Sequence, residues 1–387
     1  MKTFSILMAA IALVCFSVPA MAVDWNFYGN ARMATYYTSE DLKDNGEKAS
    51  GMDWDLQGNS RFGANIKADH IKGQVEFGIS ESNVSSRRVY GTWNFGSGYL
   101  KVGKDYTPVD QFISGQVFGG DLGLLGVGTQ YGGRHGQIAL GFGGFEIALI
   151  NPETNLLPNM EITSTGAITV VTVGGSTAAD VAITTDSTGD AKKILPRIAA
   201  KWGMGFDAWN FNVMGGFQYY SIKDVQPIGG GGTEDIDVTS WTVGADTGFN
   251  FGPGYVKGAV SYGSNIGNAD WGIPSLAGET SGSGGLAYWD GDDDTNDTTT
   301  LMAALVGGLK VSDMLAFEAG LGYRKDATDG GGPRNTAPMA IYLQSVITLA
   351  PGVFIIPEVG YYDYDNNADG DDAGTLIYGG AKWQINF

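Results

Sequence analysis

Asp365-Asn366-Asn367-Ala368-Asp369-Gly370-Asp371 puts oxygen-bearing side chains at alternate positions, the form D-x-[DN]-x-[DN]-G that opens a cation-binding loop. The twelfth position of such a loop requires a bidentate Glu, and Leu376 stands there. An EF-hand is excluded, which leaves Asp365, Asn367, Asp369 and Asp371 as a candidate surface Ca²⁺ site. Asp290, Asp292, Asp293 and Asp294 form a second acidic cluster, and solvated acidic loops are the alternative reading of both. No other cofactor is expected. For catalysis there are only His70 and His135, and the one cysteine, Cys15, falls in an apolar N-terminal run. The glycine runs Gly229–Gly232 and Gly330–Gly332 lack the strand-helix context and the Lys-Ser/Thr of a phosphate-binding loop. The sequence therefore reads as that of a protein without a chemical step.

The remaining chemistry is basic. Arg32, Arg61, Arg88, Lys101, Arg197, Lys201 and Arg324 each fall on the polar phase of an alternating segment. In Trp25-Asn26-Phe27-Tyr28-Gly29-Asn30-Ala31-Arg32-Met33 the apolar residues Trp25, Phe27, Ala31 and Met33 oppose Asn26, Asn30 and Arg32. That period of two is a strand with one apolar and one polar face. Trp54–Phe62, Trp209–Val213 and Ile377–Phe387 repeat it.

The elements that must carry these residues follow from the punctuation. Short turns are expected at 70–73, 96–98, 143–144, 205–208, 252–254, 312–314 and 351–352. Longer polar segments fall at 38–52, 81–86, 107–132, 151–192, 223–237, 265–297, 326–336 and 363–373. These fifteen connections alternate short with long and join sixteen strands. A soluble sandwich carries mixed loops at both ends, whereas a transmembrane antiparallel up-and-down β-barrel has short turns at one end and long loops at the other. Closure pairs every backbone group in lipid, where an orphan N–H or C=O costs several kcal/mol. Glycine supports this all-β reading: 61 of 387 residues would be costly in helices at about 1 kcal/mol each. They are expected in turns and on strands where a missing side chain widens the lumen or admits a loop.

Met1-Lys2-Thr3, the apolar run Phe4–Val18 and Ala20-Met21-Ala22 have the form of a secretory signal, so residues 1–22 are expected to be removed and 23–387 to form one barrel domain. The mature chain then holds no thiol and no disulfide framework.

With these features the chain resembles the Gram-negative general porins over essentially all of residues 1–387. It ends in Phe387 after alternating apolar residues, like the family's last strand. Tyr99-Leu100-Lys101-Val102-Gly103-Lys104-Asp105-Tyr106-Thr107-Pro108 is similar to the family's fifth strand entering its third loop. The resemblance implies a homotrimer of water-filled channels in the cell outer membrane, with the third loop, about 108–132, folded into each lumen. The terminal Phe is shared by many unrelated outer-membrane barrels, and the long fourth loop, 151–192, matches no family role.

The formal charge is −19, from 42 acidic and 23 basic residues. The six longest loops other than the third (taking 38–53 for the first) hold 28 of those acids and only five bases, Lys43, Lys48, Lys192, Lys223 and Arg334. The barrel itself is thus mildly basic, and the acidic surface excludes nucleic-acid binding. A cation facing lipid at midplane would cost about 2–4 kcal/mol, which sends the basic residues to the lumen. Asp110 and Asp121 lie in the third loop, so a transverse field is expected, with Arg32 and Arg61 on the wall facing that acidic loop. The expected function is passive diffusion of small hydrophilic solutes and ions. Alternatives are a channel selective for anions such as phosphate or sulfate, and an adhesion barrel acting through its acidic loops. Those loops could also bridge divalent ions to lipopolysaccharide.

Overall fold

The computed structural model describes residues 23–42, 48–153, 157, 160–162, 168–170, 191–193, 195–226, 234–272, 284–289, 295–329, 335–366 and 371–387. The expected signal, 1–22, lies outside them. Sixteen antiparallel strands form the wall: β1 (Asp24–Leu42), β2 (Lys48–Leu56 continued by Ser60–Ala68), β3 (Ile71–Ile79), β4 (Val84–Asn94), β5 (Tyr99–Tyr106), β6 (Arg134–Phe142), β7 (Phe145–Ile150) and β8 (Arg197–Gly205), then β9 (Trp209–Gln226), β10 (Glu234–Phe251), β11 (Gly254–Ser264), β12 (Thr298–Lys310), β13 (Leu315–Thr328), β14 (Met339–Ala350), β15 (Val353–Asp363) and β16 (Gly374–Asn386). Consecutive strands pair throughout. β16 then pairs with β1 from Asn30↔Asn386 to Leu42↔Gly374, which closes the barrel and leaves no edge. No helix among the described residues is long and apolar enough to cross a membrane.

Alternation sets the two faces. In β14, Met339, Ile341 and Leu343 are exposed while Ala340, Tyr342 and Gln344 are buried. Trp54, Val102, Ile138, Leu305, Val359 and Ile377 continue this exposed apolar surface around the wall. Leaving such side chains in water forfeits about 1.5–3 kcal/mol each, so the surface suits lipid. At the short-turn end, stacked rings (Trp25 on Phe27, Phe206 on Trp209, Phe249 on Phe251) form the aromatic girdle of a membrane interface. The last residue is tied in there, Gly29 N donating to Phe387 O at 2.7 Å.

Six of the seven short turns fall close to where the sequence places them; the one expected at 70–73 is at Asp69–His70, with Ile71–Gly73 already paired in β3, and several other strands also run further than expected. β1 and β2 pair out to Asp41↔Lys48, and β9 and β10 occupy most of the segment read as the fifth loop. Above the membrane both faces of a hairpin meet water, so polar legs pair without any apolar phase to reveal them. Glycines on the wall also have a sharper role than widening the lumen. In Tyr28↔Gly63, Tyr255↔Gly308, Tyr342↔Gly320, Tyr378↔Gly360 and Tyr36↔Gly380 a tyrosine lies opposite a glycine on the neighbouring strand. A Cβ at Gly360 would collide with the Tyr378 ring, so the glycine is what lets the ring lie flat on the wall.

Candidate pore constriction

The connection from β5 to β6, residues 107–133, is the third loop, and its hydrogen bonds place it inside the barrel. Asp110 fastens its root: the carboxylate accepts from Thr107 N at 2.8 Å, Gly132 N at 2.5 Å and Gly133 N at 3.2 Å, which joins the two ends of the loop. Burial pushes this carboxyl up to about 7, against the backbone donors that favour its charged form.

From that root the loop crosses to the far wall. The Gln111 amide donates to Ala245 O of β10 at 3.0 Å, and Ser114 Oγ meets Tyr342 Oη of β14 at 2.7 Å. Two buried carboxylates then hold its backbone. Glu318 of β13 accepts from Gly115 N at 2.7 Å; Glu358 of β15 accepts from Val117 N at 2.7 Å and Phe118 N at 3.1 Å. Tyr255 and Tyr342 donate to Glu318, and Tyr378 donates to Glu358. Phe118 stacks on Tyr378 with 3.7 Å between ring centroids. Buried carboxylates are expensive unless their lone pairs are filled, and here loop N–H groups fill them.

The tip turns at Gly119 and Gly120, both at positive φ, and reaches β2 at its break. Pairing with β1 shifts across Gln57–Asn59, and this irregularity presents Gln57 to Val117 O and Asn59 to Gly120 O. Asp121, beside the tip, pairs with Arg32 of β1 and with Lys382 of β16 at 2.8 Å. On the way back Arg324 donates to Gly126 O, and Thr242 of β10 donates to Gln130.

Beyond its root, where Val109 shares a buried cluster with Ala139 of β6 and Ala148 and Ile150 of β7, the loop lies on β9–β16, β1 and the break in β2, and leaves most of β3–β7 uncovered. On that side Arg87 Nε bonds Glu76 at 2.9 Å, Arg88 Nε bonds Asp105 at 2.8 Å, and Lys101 lies 3.2 Å from both Asp105 and Glu146. Arg88 and Arg134 both approach the ring of Tyr106, at 5.4 and 5.2 Å from its centroid, and Arg134 also lies 3.2 Å from the Tyr106 hydroxyl. Phe112, half exposed on the loop, meets the same ring at 4.9 Å. A cavity of about 330 Å³ along this wall is lined by Lys72, Tyr90, Tyr99, Lys101, Asp105 and Glu146. A second, of about 230 Å³, lies between Phe112, Lys201, Asn212, Asp246 and Lys257.

The residues singled out from sequence thus separate. Arg32 and Asp121 do not face each other across a gap but touch. Arg61 lies 3.6 Å from Glu76 on its own wall, and Asp110 is turned into the loop root. Of the charges expected to face each other, Arg32 and Asp121 are therefore in contact, while Arg61 and Asp110 are each held by other partners. Arg88 and Lys101 lie on the bare wall, Lys201 lines the second cavity, Arg324 pairs with Asp326 at 3.0 Å, and Arg197 is fully buried under another loop. Glu76, Asp105, Glu146, Glu318, Glu358 and Lys382 were missed, although the alternation phase that selected the cations places each of them on the inner face. Of the candidate Ca²⁺ site, Asp365 and Asp371 are described, and Asp365 accepts from Ala337 N at 2.6 Å; Asn367 and Asp369 lie outside the described residues, as do Asp290 and Asp292–Asp294. Among the described residues no three His, Cys, Asp or Glu side chains are arranged to hold a metal ion.

No family model and no curated protein matches the chain. Solved structures do. The outer membrane channel DcaP of Acinetobacter baumannii aligns over 96% of this chain and 99% of its own, at 15% identity and a TM-score of 0.65. An anion-selective porin from Comamonas acidovorans aligns over 94% and 100%, at 14% identity and 0.53; Salmonella typhi OmpF aligns over 93% and 97%, at 13% and 0.53. The fold is that of the sixteen-stranded porin barrels. At these identities the likeness carries architecture, and the residues that meet solute have to be read from this chain alone.

Proposed function

We propose that the protein is an outer-membrane porin, a water-filled channel through which small hydrophilic solutes and ions diffuse down their gradients. The observation that carries the reading is the one-sided course of the third loop, tied by buried side chains to β9–β16 and β1 and leaving a basic, cavity-bearing wall at β3–β7 beside it. The apolar exterior and aromatic girdle support residence in a bilayer, and closure of the barrel satisfies its backbone there. Ions meet acidic outer loops first, which concentrate cations within about 8 Å at physiological salt. They then pass Arg87, Arg88 and Arg134, which attract anions. The three assembled barrels implied by the porin resemblance are part of the proposal, and heat-dependent mobility in detergent gels tests them. Planar-bilayer recording tests the function itself: large ohmic steps support diffusion, steps blocked by one solute would mean a selective channel, and no steps would mean an adhesion or structural barrel.

A further inference from the structure

The first described part of the connection between β11 and β12, residues 265–272, also turns inward. Its first part is a single 3-10 turn, Ile266–Ala269, flanked by Asn265 and Asp270, both at positive φ (51° and 53°). All four turn residues are buried, and so is Trp271. The indole occupies the space a side chain would take at Gly216 of β9 and Gly132 of the third loop, with a Cβ there only 2.6 and 3.2 Å away. Asn268 accepts at its carbonyl from Gln218 at 2.9 Å and donates to Tyr220 Oη at 3.1 Å, both on β9. Arg197 of β8, fully buried, donates to Ala269 O, and Tyr131 N of the third loop donates to Trp271 O at 3.3 Å. At the end of this path Asp270 Oδ2 lies 3.0 Å from His135 Nε2 on β6. The segment leaves β11 and is held as far round the wall as β6, against the root of the third loop.

His135 is the fastening at that end. Its other nitrogen, Nδ1, faces Glu153 at 3.4 Å, just beyond β7. A carboxylate only accepts, and a neutral imidazole carries one N–H, so only the imidazolium donates to Asp270 and Glu153 together. Near it stand the guanidinium of Arg197 of β8, itself within reach of Asp110 in the loop root, and Asp105 opposite it in the β5–β6 register.

We propose that residues 265–272 are a second strap narrowing the lumen beside the root of the third loop, and that protonated His135 locks its far end. The proposal rests on the channel reading above. Burial works against the charge on the His135 imidazole, but the hydrogen bonds to Asp270 and Glu153 outweigh it and hold its titration above the ordinary histidine value, so the lock is made in acid and loses one of its two bonds as pH rises past that titration. The pore is then wider in alkali than in acid, a direction set by geometry and independent of the charge of the solute.

The test uses full-length protein in planar bilayers at 1 M salt, where screening shortens the reach of other titrating charges to about 3 Å. Neutral polyethylene glycols of graded size report the pore width. Wild type should admit a larger polymer at pH 8 than at pH 5, whereas His135→Gln and Asp270→Asn should admit the larger polymer at both, with loss of the pH step. The same pH step in His135→Gln as in wild type would overturn the lock. Equal cutoffs for wild type at both pH values would overturn it as well, and absence of any conductance would overturn the channel reading instead.

Discussion

The two halves of the lumen wall are built from different chemistry. β12–β16 and β1 present tyrosines lying on glycines and two buried carboxylates, Glu318 and Glu358, which fill their lone pairs with N–H groups of the third loop. β3–β7 present arginine and lysine, partly answered by Glu76, Asp105 and Glu146. The first half is a dock and the second a passage. Acids on a lumen wall therefore need not face the solute: here they position the element that narrows the pore, and the cations on the other side are left to meet what passes.

Breaking the dock should have the largest effect. Glu318→Ala with Glu358→Ala removes acceptors for three loop N–H groups, at about 1.5–3 kcal/mol for each bond to a charged group. The expected outcome is a large rise in single-channel conductance with noisy steps; an unchanged, quiet channel would show that the loop is held elsewhere. Next comes the passage. Replacing Arg87, Arg88 and Arg134 with Gln should move the reversal potential in a salt gradient toward cation preference while leaving the conductance near wild type. A smaller effect is expected from Gly360→Ala, which overpacks the Tyr378 ring at a cost of about 1–3 kcal/mol; the temperature at which the barrel loses its folded gel mobility should fall. Smallest is Asp313→Asn, which breaks the exposed pair with Lys310 in a short turn and should change neither conductance nor that temperature.

Much of the barrel was legible because lipid imposes a strict rule. Every membrane-spanning strand must alternate, and Trp25-Asn26-Phe27 and Ile377–Phe387 do so openly. The ends of β1, β9 and β10 were not legible, since a hairpin leg in water on both faces has no reason to alternate. The inner-face position of Arg88 and Lys101 followed from phase, and Glu76, Asp105 and Glu358 obey the same phase. What phase could not give is partnership. Asp121 and Arg32 are 89 positions apart, and their contact depends on where the loop tip lands at the break in β2. Asp110, an acid in a loop, looked like a pore charge; three backbone donors close in space make it a fastening instead.

The central claim is that the third loop, docked on one wall, sets the width of a water-filled pore. Planar-bilayer conductance of wild type beside the Glu318→Ala, Glu358→Ala variant tests it most directly. The account predicts discrete ohmic steps for wild type and larger ones for the variant. Steps of the same size in both would contradict it.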